Sequence, residues 1–178
     1  MTHRRASLLL TLGIPLLLVA VWAILPAQPH DFNTYPVIGV HDGDTITVLI
    51  DDKTKERIRL IGIDAPEKGQ EPWGKESYKA MRQLVEGKRV RLETDVTKRD
   101  QYKRLLAYVY AGDTFVNLEM VRQGQAVVYT VPPNVAHVEE YRKAQVEARE
   151  AGRGVWNPYQ PLDVMPDCYR KRQKGREC

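Results

Sequence analysis

Thr45-Ile46-Thr47-Val48-Leu49-Ile50 sets Thr45, Thr47 and Leu49 against the aliphatic series Ile46, Val48 and Ile50. A period of two over six residues is the pattern of a strand with one buried face. The polar run Asp51-Asp52-Lys53-Thr54-Lys55-Glu56 follows as a turn, and residues 57–63 read as the return strand. The stretch is therefore a β-hairpin with a long loop. Upstream, Val40-His41-Asp42-Gly43-Asp44 puts Asp44 in register with Ile46 and Val48, pointing inward at the strand's start, while Gly43 allows a tight turn. Downstream, Asp64 ends the return strand, and Pro66 stiffens the exit so that Glu67 projects from a bend.

Working outward, a helix is expected over residues 75–86, where Tyr78, Met81 and Val85 share a face and Gly87 stops it. Residues 88–93 and 105–110 read as strands separated by a charged loop. Residues 117–122 read as a short helix, 126–129 as a last short strand, and 138–151 as a third helix. Glu139 and Glu140 in that helix's first turn and Arg149 near its end suit the helix dipole. Residues 26–35 read as a linker because Pro26, Pro29 and Pro36 oppose regular structure, and Pro158 and Pro161 end it at the other side. Five short strands with too few intervening helices exclude a doubly wound sheet. They predict a small β-barrel of the OB-fold type, five-stranded, with three α-helices outside it.

A chain of 178 residues accommodates one domain with terminal segments. Three parts are expected: residues 1–30, an N-terminal signal-anchor or signal peptide with linker; 31–160, the barrel domain; and 161–178, a basic C-terminal tail. Residues 6–25 contain no charged side chain behind Arg4 and Arg5, long enough for a transmembrane helix with the basic end in the cytoplasm. A cleaved signal peptide is the alternative, and either route exports the domain, to the cell membrane or as a secreted protein. Of the net charge of +4, residues 1–30 carry +2 and residues 169–178 carry +4, so residues 31–168 carry −2. Attraction to nucleic acid then rests on local arginines and the basic tail, and binding by the body is weak and salt-dependent. Two cysteines, Cys168 and Cys178, exclude a disulfide scaffold and a zinc site; in an oxidising compartment they can close a small basic loop.

The chemistry concentrates in three segments. Asp44, Asp64 and Glu67 would repel one another unless a cation sat among them, and an all-oxygen set suits calcium, with magnesium also compatible. Asp42 reads as the cap of an Asx-type turn. Strand alternation puts Arg59 on the opposite face from Asp64, so the two meet only if the strand is irregular between them, and Gly62 is the place for a bulge. Asp100-Gln101-Tyr102-Lys103-Arg104-Leu105 adds a second arginine.

These segments, with Val116-Asn117 and Val121-Arg122-Gln123-Gly124, resemble the staphylococcal nuclease (thermonuclease) family across about residues 35–156. The resemblance implies an OB-type barrel with three helices and Ca²⁺-dependent endonuclease activity on DNA and RNA, breaking the bond to the 5′-oxygen and leaving 3′-phosphates. By the same resemblance, Asp44, Asp64 and the carbonyl of Ala65 would bind the metal. Glu67 would be the general base, and Arg59 and Arg104 would clamp the phosphate. The family's pair of tyrosines near the last strand is incomplete here, leaving Tyr129 and Tyr102 as candidate stacking surfaces for bases. The expectation is an exported hydrolase of low sequence specificity, monomeric, tethered to the membrane if its N-terminal helix is uncleaved. A catalytically silent nucleic-acid-binding module at the cell surface is the alternative.

Overall fold

The computed structural model describes residues 34–178. The expected anchor or signal segment lies outside them, and among the described residues no helix is long and apolar enough to cross a membrane.

Strands β1 (Thr34–Val40), β2 (Thr45–Leu49) and β3 (Lys55–Leu60) form an antiparallel meander. After β4 (Ile63–Asp64) and helix α1 (Trp73–Val85) come β5 (Arg89–Glu93) and β6 (Leu105–Ala111). β5 pairs antiparallel with β1 and with β6, while β6 pairs parallel with β3, so the cycle closes as a five-stranded barrel. β7 (Thr114–Phe115) extends β6 and leads into α2 (Val116–Arg122). β8 (Val127–Val128), α3 (Val138–Glu150) and α4 (Pro166–Gln173) complete the chain. Ile46, Val48, Ile58, Leu60, Val90, Ala107 and Val109 are buried in the core, joined by Met81 and Val85 of α1 and Met120 of α2. Burial of such apolar surface at about 25 cal/mol per Å² is the main force holding the barrel shut.

The barrel type is the expected one, but its fifth strand differs. Residues 34–40 are a barrel strand despite Pro36, and the predicted strand at 126–129 pairs instead with β4 in a separate two-stranded sheet. A proline is tolerated where neighbours carry the ladder. Here the Val37 amide donates to the Lys88 carbonyl at 2.9 Å, and a register irregularity follows between Val37 and Gly39. Helix α1 begins earlier than its pattern suggests, and its buried face runs through Ser77, Met81 and Val85; Tyr78 lies beside that face under the Arg82 guanidinium. The tail, read as lacking regular structure, contains α4, with Pro166 in its first turn, where a fixed φ and a missing N–H do no harm. Cys168 and Cys178 are disulfide-bonded.

Candidate functional site: a carboxylate and arginine cleft

The site is built where β2 begins and β3 ends. Asp44 precedes β2, and its N–H donates to Asp42 Oδ1 at 3.0 Å, the Asx turn expected. Gly43 has a different reason from the one its sequence suggests. A Cβ there would collide with Ser77 of α1 and with Ala65, so this glycine lets the turn press against the helix. Asp44 is thereby buried at 6% exposure. One of its oxygens accepts from the Thr45 hydroxyl at 3.0 Å and the other from the Ala65 amide at 2.8 Å.

Strand β3 does break at Gly62, whose φ of +81° suits a residue without a side chain. The break carries the chain from the face of Arg59 to a position where Asp64 meets it. Arg59 Nη2 lies 3.0 Å from Asp64 Oδ1 and 3.2 Å from Asp44 Oδ2, so both carboxylates converge on one guanidinium nitrogen. The kink is held from beneath. The buried Asn117 donates to the Ile61 carbonyl at 2.9 Å and accepts from the Val109 amide at 2.9 Å, and the Tyr141 hydroxyl donates to the same Ile61 carbonyl at 3.3 Å. Asn117 enters the sequence reading only as part of a family segment; its positioning role depends on how α2 packs against β6 and the turn after β3.

Arg104 approaches from the start of β6. Its Nε donates to Asp100 at 2.7 Å, its Nη1 reaches the Thr45 hydroxyl at 3.5 Å, and its guanidinium sits 5.5 Å from the centre of the Tyr102 ring. Tyr102 is 63% exposed and Tyr129 40% exposed, and both line a cleft of about 1040 Å³ together with Asp44, Arg59, Glu67 and Arg104. All the sequence-predicted side chains except Ala65 and the buried Asp64 thus face one cavity; those two residues form its floor through contacts to Asp44 and Arg59.

Glu67 is held differently. Its amide donates to Gln70 Oε1 at 3.0 Å, and Gln70 in turn donates to the Val164 carbonyl at 2.7 Å, tying the Glu67 loop to the C-terminal segment. From that segment comes a residue that the sequence reading did not place in the site. Arg170 Nη1 and Nη2 donate to the two oxygens of Asp64 at 2.8 Å each, and Nη1 also donates to Glu67 at 2.8 Å. The basic run between two cysteines is its one signal in the sequence, and nothing there says that it folds back across about a hundred residues.

Burial dominates the electrostatics of the acids in the site. Burial, and then the neighbouring Asp44 charge, push the Asp42 carboxyl up to about 7. Burial also raises Asp64, against the opposing pull of Arg170 and Arg59. Among the described residues no three His, Cys, Asp or Glu side chains are gathered as a ready metal shell, because guanidinium groups stand between the carboxylates. The donor chemistry nevertheless fits a hard cation: Asp44 and Asp64 converge on one point, and the donors there are oxygens.

The family model described as "Staphylococcal nuclease homologue" matches residues 57–158. A protein of Escherichia coli O157:H7 named an uncharacterized endonuclease is 40% identical over 168 residues, 90% of this chain and 97% of that one. A Haemophilus influenzae protein of the same name is 37% identical over 157 residues, 88% and 84% of the two chains. The thermonuclease of Staphylococcus hyicus is 36% identical over 130 residues, 70% and 76% of the two. The matched span contains Arg59, Asp64, Glu67 and Arg104, and β2 lays Asp44 against it, so fold, site and likeness agree: the chain belongs to the staphylococcal nuclease homologue family.

Proposed function

We propose that this chain is a calcium-dependent endonuclease, a phosphodiester hydrolase acting on DNA and on RNA with little sequence specificity and leaving 3′-phosphate ends. The observation that carries the reading is the convergence of Asp44 and Asp64 on Arg59, with Arg104 in the same cleft. Asp44, Asp64 and the carbonyl of Ala65 would hold the cation, which supplies charge compensation for the phosphodiester and a site for the attacking water.

The chain's own residues account for the remaining work. Glu67 has a partly exposed carboxylate and can accept the proton that water loses as it attacks phosphorus. Arg59 and Arg104 present planar forks suited to two phosphate oxygens at once, and their hydrogen bonds gain most where charge builds in the transition state. Tyr102 and Tyr129 offer exposed rings on which bases stack without regard to sequence. The N-terminal segment supports export, with the domain outside the cell either tethered or released, and the enzyme working as a monomer.

The seating of Arg170 on Asp64 and Glu67 favours one other reading, a silent nucleic-acid-binding module whose carboxylates are permanently satisfied. Cleavage of single-stranded DNA by the full-length protein, in calcium and in excess chelator, with end-group analysis of the products, separates the two. Calcium-dependent fragments ending in 3′-phosphate are expected. Binding without cutting would leave the module.

A further inference from the structure

The segment after α3 is fastened to the site at several points. The Trp73 indole donates to the Gln160 carbonyl at 3.1 Å, Gln70 donates to Val164, and the Tyr169 hydroxyl packs against Gly69, where a Cβ would collide with it. Arg170 closes the series on Asp64 and Glu67. Its exposure and its partners differ from those of the other tail cations. Lys171, Lys174 and Arg176 line the same cleft as Arg59 and Arg104, whereas Arg172, on the other side of α4, does not. Lys171 reaches only Asp167, at 3.4 Å, and among the described residues Lys174 and Arg176 pair with no acid. The disulfide brings the chain end back to the helix, with Cα atoms of Cys168 and Cys178 at 5.1 Å, so Lys174 and Arg176 lie within a closed loop.

We propose that the disulfide-closed segment 166–178 is the second wall of the substrate cleft, taking phosphates of a nucleic-acid strand on Lys171, Lys174 and Arg176 while Arg170 anchors the wall to Asp64 and Glu67. This rests on the nucleic-acid reading above and adds to it where the strand runs. The charge distribution favours such an arm: residues 31–168 carry −2, and the last ten residues carry +4. An acidic body repels a polyanion, and cations lining a concave cleft offset that at the place where the strand must lie. An anionic lipid surface would also attract these side chains, but a cleft shared with Arg59, Arg104 and Tyr102 suits a narrow strand rather than a flat sheet.

Arg170 has a consequence for the metal. It occupies both oxygens of Asp64, so a cation that binds Asp64 must weaken those bonds, and each binding event opposes the other. Phosphate oxygens offered to Arg170 relieve this competition, which couples strand binding to cation binding.

The test uses the full-length protein and a fluorescent single-stranded 20-mer in excess chelator, where binding is read without cutting, over a series of NaCl concentrations. Replacing Lys171, Lys174 and Arg176 together by Ala is expected to reduce the salt slope by about 2, from about 0.7 per phosphate contact on a single strand. Arg172→Ala is expected to leave the slope in place. Intact disulfide and an unchanged melting temperature confirm that the triple variant is folded. In calorimetry without nucleic acid, Arg170→Ala is expected to bind calcium at least fivefold more tightly. Binding of the same variant to phosphatidylserine vesicles is read in parallel; an unchanged slope on the 20-mer in the folded triple variant overturns the proposal, as does a loss of binding confined to the vesicles, and unchanged calcium affinity in Arg170→Ala overturns the anchor. These outcomes are independent of the nuclease reading, which fails separately if the wild-type protein binds the strand and does not cut it in calcium.

Discussion

Asp44 and Asp64 share a single nitrogen of Arg59, and this is where substitution separates structure from chemistry. Asp44→Asn keeps the shape and one oxygen to accept from the Ala65 amide, turns the other position into an NH2 that can only donate to the Thr45 hydroxyl, and removes half of the carboxylate charge offered to a cation. It is expected to weaken calcium binding at least tenfold in calorimetry, with the melting temperature lowered by only a few degrees. Asn117 gives the opposite result. Asn117→Ala takes the side-chain partner from the buried Val109 amide and leaves the Ile61 carbonyl with the Tyr141 hydroxyl, and should cost about 1–3 kcal/mol in denaturant unfolding. Residues 44, 59 and 64 are legible from the sequence because strand alternation fixes their faces and Gly62 marks the exception. Arg170 is not, because its partners are set by how a tail folds back, and no local pattern encodes that. Asp42 is legible as an Asx cap, yet its raised carboxyl follows from burial beside Asp44, which only the packed structure reveals.

At the scale of elements, the break between β3 and β4 positions the site. Gly62 has φ +81° and lies against the Tyr141 ring, so any Cβ there meets both backbone strain and a collision. Gly62→Ala is expected to destabilise the fold by at least about 1–2 kcal/mol, the cost of the left-handed region for an L-residue, and to displace Asp64 from Arg59. Unfolding curves read the first effect and calcium calorimetry the second. The hairpin β2–β3 is legible because its alternation is regular and its loop polar. β1 is not: Pro36 reads as a breaker, and Tyr35-Pro36-Val37-Ile38-Gly39-Val40 has no clean alternation, since the strand is bulged and paired on both sides. β8 is read as a strand correctly, but sequence says nothing of its partner, and β4 rather than the barrel takes it.

For the whole molecule, pH tests the packing of α3 against the barrel end. Burial alone would raise Asp95, but hydrogen bonds from the Tyr108 hydroxyl at 2.7 Å and from the Val96 and Ala136 amides outweigh it and hold the carboxyl below its ordinary value. A carboxyl depressed in the folded state contributes stability that is complete above its unfolded value of about 3.9 and is lost as pH falls through the folded one. Tyr108→Phe should therefore cost about 1 kcal/mol at neutral pH, with the difference from wild type shrinking in acid. Denaturant unfolding at pH 7 and at pH 3 checks this, and an equal difference at both would contradict it. The uneven charge of the molecule, an acidic body with a basic end, is plain in the sequence. That the basic end forms a wall of the site is not, because it depends on contacts between α4 and the loop of Glu67.

If the arginines act on a phosphodiester through their planar forks, Arg104 is the residue at which this is read without disturbing the metal carboxylates. It lies on the cleft and makes no contact with Asp44 or Asp64, so its replacement leaves the metal carboxylates alone. In Arg104→Lys the positive charge remains and the fork is lost. Single-turnover cleavage of single-stranded DNA in calcium is expected to slow about 10²–10³-fold, the loss for one transition-state donor, with calcium affinity unchanged. A cleavage rate equal to wild type would contradict it.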